Sequence, residues 1–190
     1  IDDSGLRAKA GTNNQIISPQ GIPFATTSNS DKTNIIFVSQ WDNFPNALTI
    51  PLSGKASQAY LMMAGTTNPM QSRFTNGEII ATYSDGSSEK LELKNPENWW
   101  PIEQDYYTDG YAFTTNAQKP PRVYLKTGTI TRDFKNFKSI KGFSDFGVEG
   151  GAGTIIDIPL NKNKNLDNIE IKAVANEVLI GIMSLTLNRN

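Results

Sequence analysis

From Ile16 onward the chain is a series of short apolar runs separated by turn-forming residues, with a period nearer two than 3.6. Asn34-Ile35-Ile36-Phe37-Val38 is rich in β-branched side chains, which fit a pleated, half-buried surface, and predicts a strand. Leu48-Thr49-Ile50-Pro51-Leu52 alternates. Its proline has no N–H to donate to a ladder, so the segment is expected at a sheet edge or a strand end. Ala59-Tyr60-Leu61-Met62-Met63-Ala64 is almost continuously apolar, as a strand covered on both faces would be. A short buried helix fits the same residues, because so brief a run carries no decisive period.

The clearest local signal lies between Glu78-Ile79-Ile80-Ala81-Thr82-Tyr83 and Glu89-Lys90-Leu91-Glu92-Leu93, which flank Ser84-Asp85-Gly86-Ser87. Asp and Gly tolerate positive φ, so this is expected to be a hairpin with a type I′ turn. Leu91 and Leu93 face one side and Lys90 and Glu92 the other, as in a half-solvated strand. Further strands are expected at 122–126, 154–160, 169–174 and 178–187, with a polar turn over 161–165. Residues 1–15 are polar without a sustained period and read as a linker or irregular lead-in. Residues 16–190 read as one domain. No segment shows a capped helical period, and about ten short strands predict an all-β fold, a β-sandwich or jelly roll.

Composition narrows the chemistry. The 190 residues suit one domain with a sizeable core, and 18 basic against 19 acidic side chains leave a net charge of -1. Such a balance lacks the electrostatic footprint of a nucleic-acid binder and disfavours an acidic membrane surface. The chain has no Cys and no His. A Ser-His-Asp triad, a Cys-His pair and a His-built zinc site are therefore excluded by inventory, while carboxylates, Lys and Tyr remain. No apolar run approaches the roughly 18–20 residues that span a bilayer. The start at Ile1-Asp2-Asp3, without Met or a signal peptide, reads as a domain excised from a longer chain.

Several segments resemble galactose-binding-like jelly-roll domains. They are Gly21-Ile22-Pro23-Phe24, Ser39-Gln40-Trp41-Asp42-Asn43-Phe44-Pro45, Ile50-Pro51-Leu52-Ser53-Gly54-Lys55-Ala56 and Tyr60-Leu61-Met62-Met63-Ala64-Gly65-Thr66, together with the Tyr83–Gly86 hairpin and the closing run from Asp157 to Leu187. Two blocks are narrower: Asn68-Pro69-Met70-Gln71-Ser72-Arg73, and the stretch from Asn95 to Tyr107 containing Trp99-Trp100-Pro101. These resemble C-terminal regions of large, exported, glycoside-hydrolase-like proteins of gut anaerobic bacteria. The resemblance spans roughly residues 16–188. It implies an exported module (periplasmic, cell-surface or secreted) whose partner is the catalytic domain of its parent protein.

Residues 97–111 combine Glu97, Glu103, Asp105 and Asp109 with Trp99, Trp100, Tyr106, Tyr107 and Tyr111. Sugars have apolar C–H faces that stack on rings and hydroxyls that need carboxylates, so Trp99, Trp100, Glu103, Asp105, Tyr106 and Tyr107 are the candidate carbohydrate contacts. The same rings could instead plug the sandwich end or meet a neighbouring domain. Glu103 and Asp105, two apart on an extended chain, would point the same way, and two carboxylates are the minimum for glycoside hydrolysis. Asp42, Asn43, Asp105 and Asp109 offer oxygen donors for a structural calcium ion, although no EF-hand loop exists. The Gly147–Gly153 run lacks a phosphate-loop ending and reads as a flexible loop. Met62, Met63, Met70 and Met183 read as core filling, and Phe134, Phe137, Phe143 and Phe146, interleaved with Lys135, Lys138 and Lys141, as an aromatic-anchored segment. The leading expectation is a non-catalytic accessory module, carbohydrate-binding or scaffold, of a carbohydrate-active protein. The alternatives are a glycoside-hydrolase-like enzyme using the 97–109 carboxylates, and a purely structural protein–protein module.

Overall fold

In the computed structural model, which describes residues 1–67, 72–106, 113–133 and 147–189, the alternating runs pair into antiparallel sheets. One sheet has six strands: β3 (Ile36–Ser39), β12 (Val178–Asn188), β5 (Gln58–Thr67), β10 (Ala152–Pro159), β8 (Arg122–Tyr124) and β9 (Thr129–Thr131), side by side in that order. A four-stranded sheet follows the order β4 (Ala47–Pro51), β11 (Leu166–Ala173), β6 (Thr75–Tyr83), β7 (Ser88–Lys94). A small hairpin of β1 (Gln15–Ile17) and β2 (Pro23–Ala25) stands apart. The architecture is an all-β sandwich.

Period-two alternation decides what each strand buries. Leu61, Met63, Ile156, Ile158, Val178 and Ile180 from the larger sheet meet Ile79, Ala81, Leu93, Ile169, Ile171 and Ala173 from the smaller one in a single apolar layer. Each Leu, Ile, Val or Met among them, fully buried, contributes about 1.5–3 kcal/mol from the loss of apolar surface to water. The opposite face of the larger sheet is covered too. Met62, Val123, Leu125, Ile130 and Ile155 pack under Ile16 and Phe24 of the small hairpin and under Leu6 and Ala10 of helix α1 (Ser4–Ala10). Strand β5 is therefore buried on both faces, which explains its continuous apolar sequence.

The lead-in through residue 15 is thus partly helical, α1 being followed by a 3₁₀ turn over Gly11–Asn13. Leu6 and Ala10 are its only buried positions, one i,i+4 pair, which is too little repetition to register as a period. Pro51 falls at the end of β4, an edge strand, where its missing N–H costs no ladder bond. In β12 the ladder slips between Ile182 and Ser184. This bulge leaves Met183 on the outer face while Ile180, Leu185 and Leu187 all reach the inner core.

The 83–88 hairpin is present but its turn differs from the expected type. Gly86 N donates to Tyr83 O at 2.9 Å, and Tyr83 N to Ser87 O at 2.9 Å. Gly86 has φ +81°, and Asp85 is not among the positive-φ residues, so this is a three-residue loop closed by a left-handed glycine. Asp85 instead uses its carboxylate to accept Ser87 N at 3.0 Å. Among the described residues no helix is long and apolar enough to cross a membrane.

Candidate functional site

The aromatic segment after β7 runs from the four-stranded sheet across to β8 in the six-stranded one. Asn98 Nδ2 donates to Glu92 O at 2.9 Å and its Oδ1 accepts Lys94 N at 2.8 Å, so the chain turns sharply at the end of β7. Asn95 Nδ2 donates to Trp99 O at 3.0 Å, and Asn95 O accepts Arg73 N at 2.6 Å. The turned segment then docks on β5 and β10: Ile102 N donates to Gly65 O at 2.6 Å and Ala152 N to Ile102 O at 2.8 Å.

Three of the predicted sugar-stacking rings end inside the protein. Trp99 and Tyr106 are fully buried and Trp100 is 1 % exposed. Trp99 belongs to the inter-sheet core and presses on Gly65, where a Cβ would lie 2.9 Å from the indole and 2.0 Å from Leu179 O. Only a residue without a side chain lets that ring close the sandwich end. Trp100 donates from Nε1 to Pro96 O at 2.8 Å, meets Tyr106 edge-on at 5.0 Å between ring centres, and lies 6.0 Å from Phe113. Tyr106 donates its hydroxyl to Pro120 O at 3.0 Å. These faces are covered by protein: Trp99 lies in the inter-sheet core, and Trp100 packs edge-on against Tyr106 and tilted against Phe113. Tyr107, Asp109 and Tyr111 lie outside the described residues, as do Met70 and the four phenylalanines of 134–146.

Two cations complete the box. Lys119 Nζ sits 5.7 Å from the Trp100 ring centre and 5.3 Å from that of Tyr106; burial pushes its ammonium pKa down. Arg122, fully buried in β8, lies 5.0 Å from the Tyr106 ring and donates from Nη2 to Pro101 O at 2.9 Å and to Gln104 O. Its Nε and Nη1 find no hydrogen-bond partner among the described residues. Burial lowers its pKa, and the π faces and backbone carbonyls around it offset part of that cost. Nothing in the alternation of 122–126 marked Arg122 as an inward residue. Its position opposite Thr154 on β10 does.

The two carboxylates do not share a face. The chain turns over Pro101–Gln104 rather than running extended, and Gln104 forms an isolated bridge with Gly147. Glu103 is left exposed, accepting the Thr66 hydroxyl at 3.1 Å. Asp105 is 8 % exposed and accepts Tyr106 N at 3.0 Å and the Tyr124 hydroxyl at 3.2 Å on each oxygen. Burial, then the Asp105 charge and hydrogen bond, push the Tyr124 phenol up to about 12. Asp105 and Tyr124 border a cleft of about 330 Å³ whose rim carries Lys126 paired with Glu149, and Asp133. Asp42 and Asn43 follow β3 at the opposite edge of the sheet, four strands from β8, or roughly 19 Å at ordinary strand spacing. They cannot share one calcium ion with Asp105, since ligands lie about 2.3–2.6 Å from the metal. Among the described residues no cluster of three or more acidic side chains is placed to hold a metal. The Gly147–Gly153 run is pinned to its surroundings, with Asp2 N donating to Gly150 O at 2.9 Å and Leu125 N to Gly151 O at 3.0 Å.

Of the chain's three tryptophans, Trp41 alone offers its ring to solvent, being 45 % exposed beside Phe44. Set against known proteins, the chain matches no protein-family model, no curated protein and no solved structure.

Proposed function

We propose that the chain is a non-catalytic accessory β-sandwich module of an exported carbohydrate-active protein, and that its 95–106 block is scaffold rather than sugar platform. The observation that carries this reading is the burial of all three rings, Trp99 in the inter-sheet core and Trp100 and Tyr106 in a box closed by Lys119 and Arg122. A block built this way stiffens one end of the sandwich, the property a docking module needs toward the domain it serves. The carboxylates support the same reading: Asp105 is engaged by its own neighbours and Glu103 stands on another face.

The test is turnover by the isolated chain on a panel of plant and host glycans. No product is expected, whereas hydrolysis that disappears in Glu103→Gln overturns the reading in favour of an enzyme. Joined to the catalytic domain of its parent, the module is expected to raise that domain's thermal stability. A catalytic domain equally stable without it counts against the accessory role.

A further inference from the structure

The hairpin that joins β6 to β7 carries Asp85-Gly86, a dipeptide open to a rearrangement of its own main chain. The nitrogen that follows an aspartate can attack that aspartate's Cγ. An N–C bond forms, the bond from Cγ to its hydroxyl breaks, water leaves, and the nitrogen's proton passes to solvent. Water then opens the resulting succinimide at either carbonyl, returning aspartate or leaving isoaspartate, in which the chain runs through the former side chain. Glycine in second place resists the attack least, having no Cβ to crowd it. The step has two requirements: a neutral carboxyl, since a carboxylate does not release its oxygen, and a main-chain nitrogen free to approach.

Asp85 stands half-exposed in the loop, within reach of water, yet both requirements are blocked. Lys164, from the turn between β10 and β11, places Nζ 2.8 Å from Asp85 Oδ2 and donates to Ser87 Oγ at 2.7 Å. Ser87 N donates to Asp85 Oδ1 at 3.0 Å, and the Ser87 hydroxyl donates to the same oxygen. The hydrogen bond from Lys164, and after it those from Ser87, hold the carboxyl well below the usual carboxylate range, so it stays ionised. The nitrogen is engaged as well, because Gly86 N donates to Tyr83 O at 2.9 Å. Lys164 is itself held in place. Ser84 N donates to Asn165 O at 2.9 Å and Asn161 N to the Tyr83 hydroxyl at 2.7 Å, which stitches the two turns together. The Lys164 ammonium also lies 5.8 Å from the centre of the Tyr83 ring.

We propose that Asp85 is a latent modification site, where this chain rearranges to isoaspartate once Lys164 is lost, and that Lys164 is the residue that guards it. The rearrangement inserts the Asp85 Cβ into the main chain. A loop closed by Gly86 N on Tyr83 O and by Tyr83 N on Ser87 O then no longer fits between β6 and β7. The inference is independent of the accessory reading, because it uses no residue of the 95–106 block.

The test incubates the whole chain, Lys164→Met and Lys164→Arg at neutral pH in water enriched in heavy oxygen, both folded and unfolded in guanidinium chloride. Each passage through the succinimide leaves one heavy oxygen at Asp85. Mass spectrometry reads that peptide apart from the one carrying Asp109, which precedes the chain's other Asp-Gly glycine. In the folded protein, label and isoaspartate at Asp85 are expected to accumulate about tenfold faster in Lys164→Met, the gain in neutral carboxyl that one pKa unit supplies. Lys164→Arg should keep the slow rate of the parent, since it restores the cation. Unfolded, all three should react alike and faster than the folded parent. Three results overturn the proposal: equal rates in the folded parent and Lys164→Met, a folded parent that reacts as fast as the unfolded chain, or a folded Lys164→Arg as fast as Lys164→Met. None of these touches the accessory reading, which fails on turnover instead.

Discussion

Trp99 and Trp100 are adjacent, equally buried and chemically identical, yet replacing each by Phe is expected to have very different consequences. An indole exceeds a phenyl ring by roughly 40 Å³, and at ~24 cal/mol per Å³ of residual cavity that void costs about 1 kcal/mol. The lost apolar surface adds about 1 kcal/mol more at ~25 cal/mol per Å². Up to this point the variants are alike. The indole N–H separates them. Trp100 donates to Pro96 O, so Trp100→Phe also strands a buried carbonyl and loses a further ~1–2 kcal/mol. The Trp99 Nε1 is buried with no partner among the described residues, so Trp99→Phe removes an unpaired donor and regains ~1–2 kcal/mol. Trp99→Phe should therefore be nearly neutral and Trp100→Phe should cost about 3–4 kcal/mol. The two costs differ by about 2–4 kcal/mol, so at ~2–4 °C per kcal/mol for a chain of this size the melting temperatures should differ by about 4–16 °C. Urea unfolding with equal m-values is the assay. Equal destabilisation of the two variants, or a larger loss in Trp99→Phe, would refute the reasoning.

Other expectations follow from particular contacts. Gly65→Ala places a Cβ 2.0 Å from Leu179 O and 2.9 Å from Trp99; it should cost about 3 kcal/mol or more, visible as a fall in urea midpoint. A Gly65→Ala protein as stable as the parent would show that Trp99 does not close the sandwich end. Burial alone would raise the Asp3 pKa, but hydrogen bonds from Arg7 and Asn34 hold it below the usual carboxylate range. Its contribution is therefore present at neutral pH and is lost as pH falls through the depressed folded value. Protection factors of the amides in residues 27–34, exchange rates corrected for the intrinsic slowing in acid, should fall on acidification, and in Asp3→Asn they should be lower already at pH 7 and respond less to acid.

Most of the sandwich was legible because period-two alternation reports burial directly. The runs at 34–38, 48–52, 59–64 and 169–174 become β3, β4, β5 and β11, with ends displaced by one to three residues. The signal failed where burial rests on too few residues. Helix α1 shows one apolar pair, and β1, β2 and β9 have three residues each. The candidate site was legible as a block but not in its orientation. Trp, Tyr and carboxylates at 97–106 are the composition of a sugar platform and equally of a capped core. What separates the two is Gly65 on β5, 34 residues before Trp99, together with Arg122 on β8, and no local spacing links these positions. The loop over residues 27–34 left no sequence signal beyond its Asn, Ser and Thr content, because it is held by Arg7 and Asp3 reaching over from α1.

Acrylamide quenching of tryptophan fluorescence in a Trp41→Phe variant addresses the buried box most directly, since only Trp99 and Trp100 then emit. A blue-shifted spectrum, resistant to the quencher and unmoved by the glycan panel, is the predicted result. Red-shifted emission that acrylamide quenches readily, and that a glycan protects, would mean the rings face solvent and hold sugar after all.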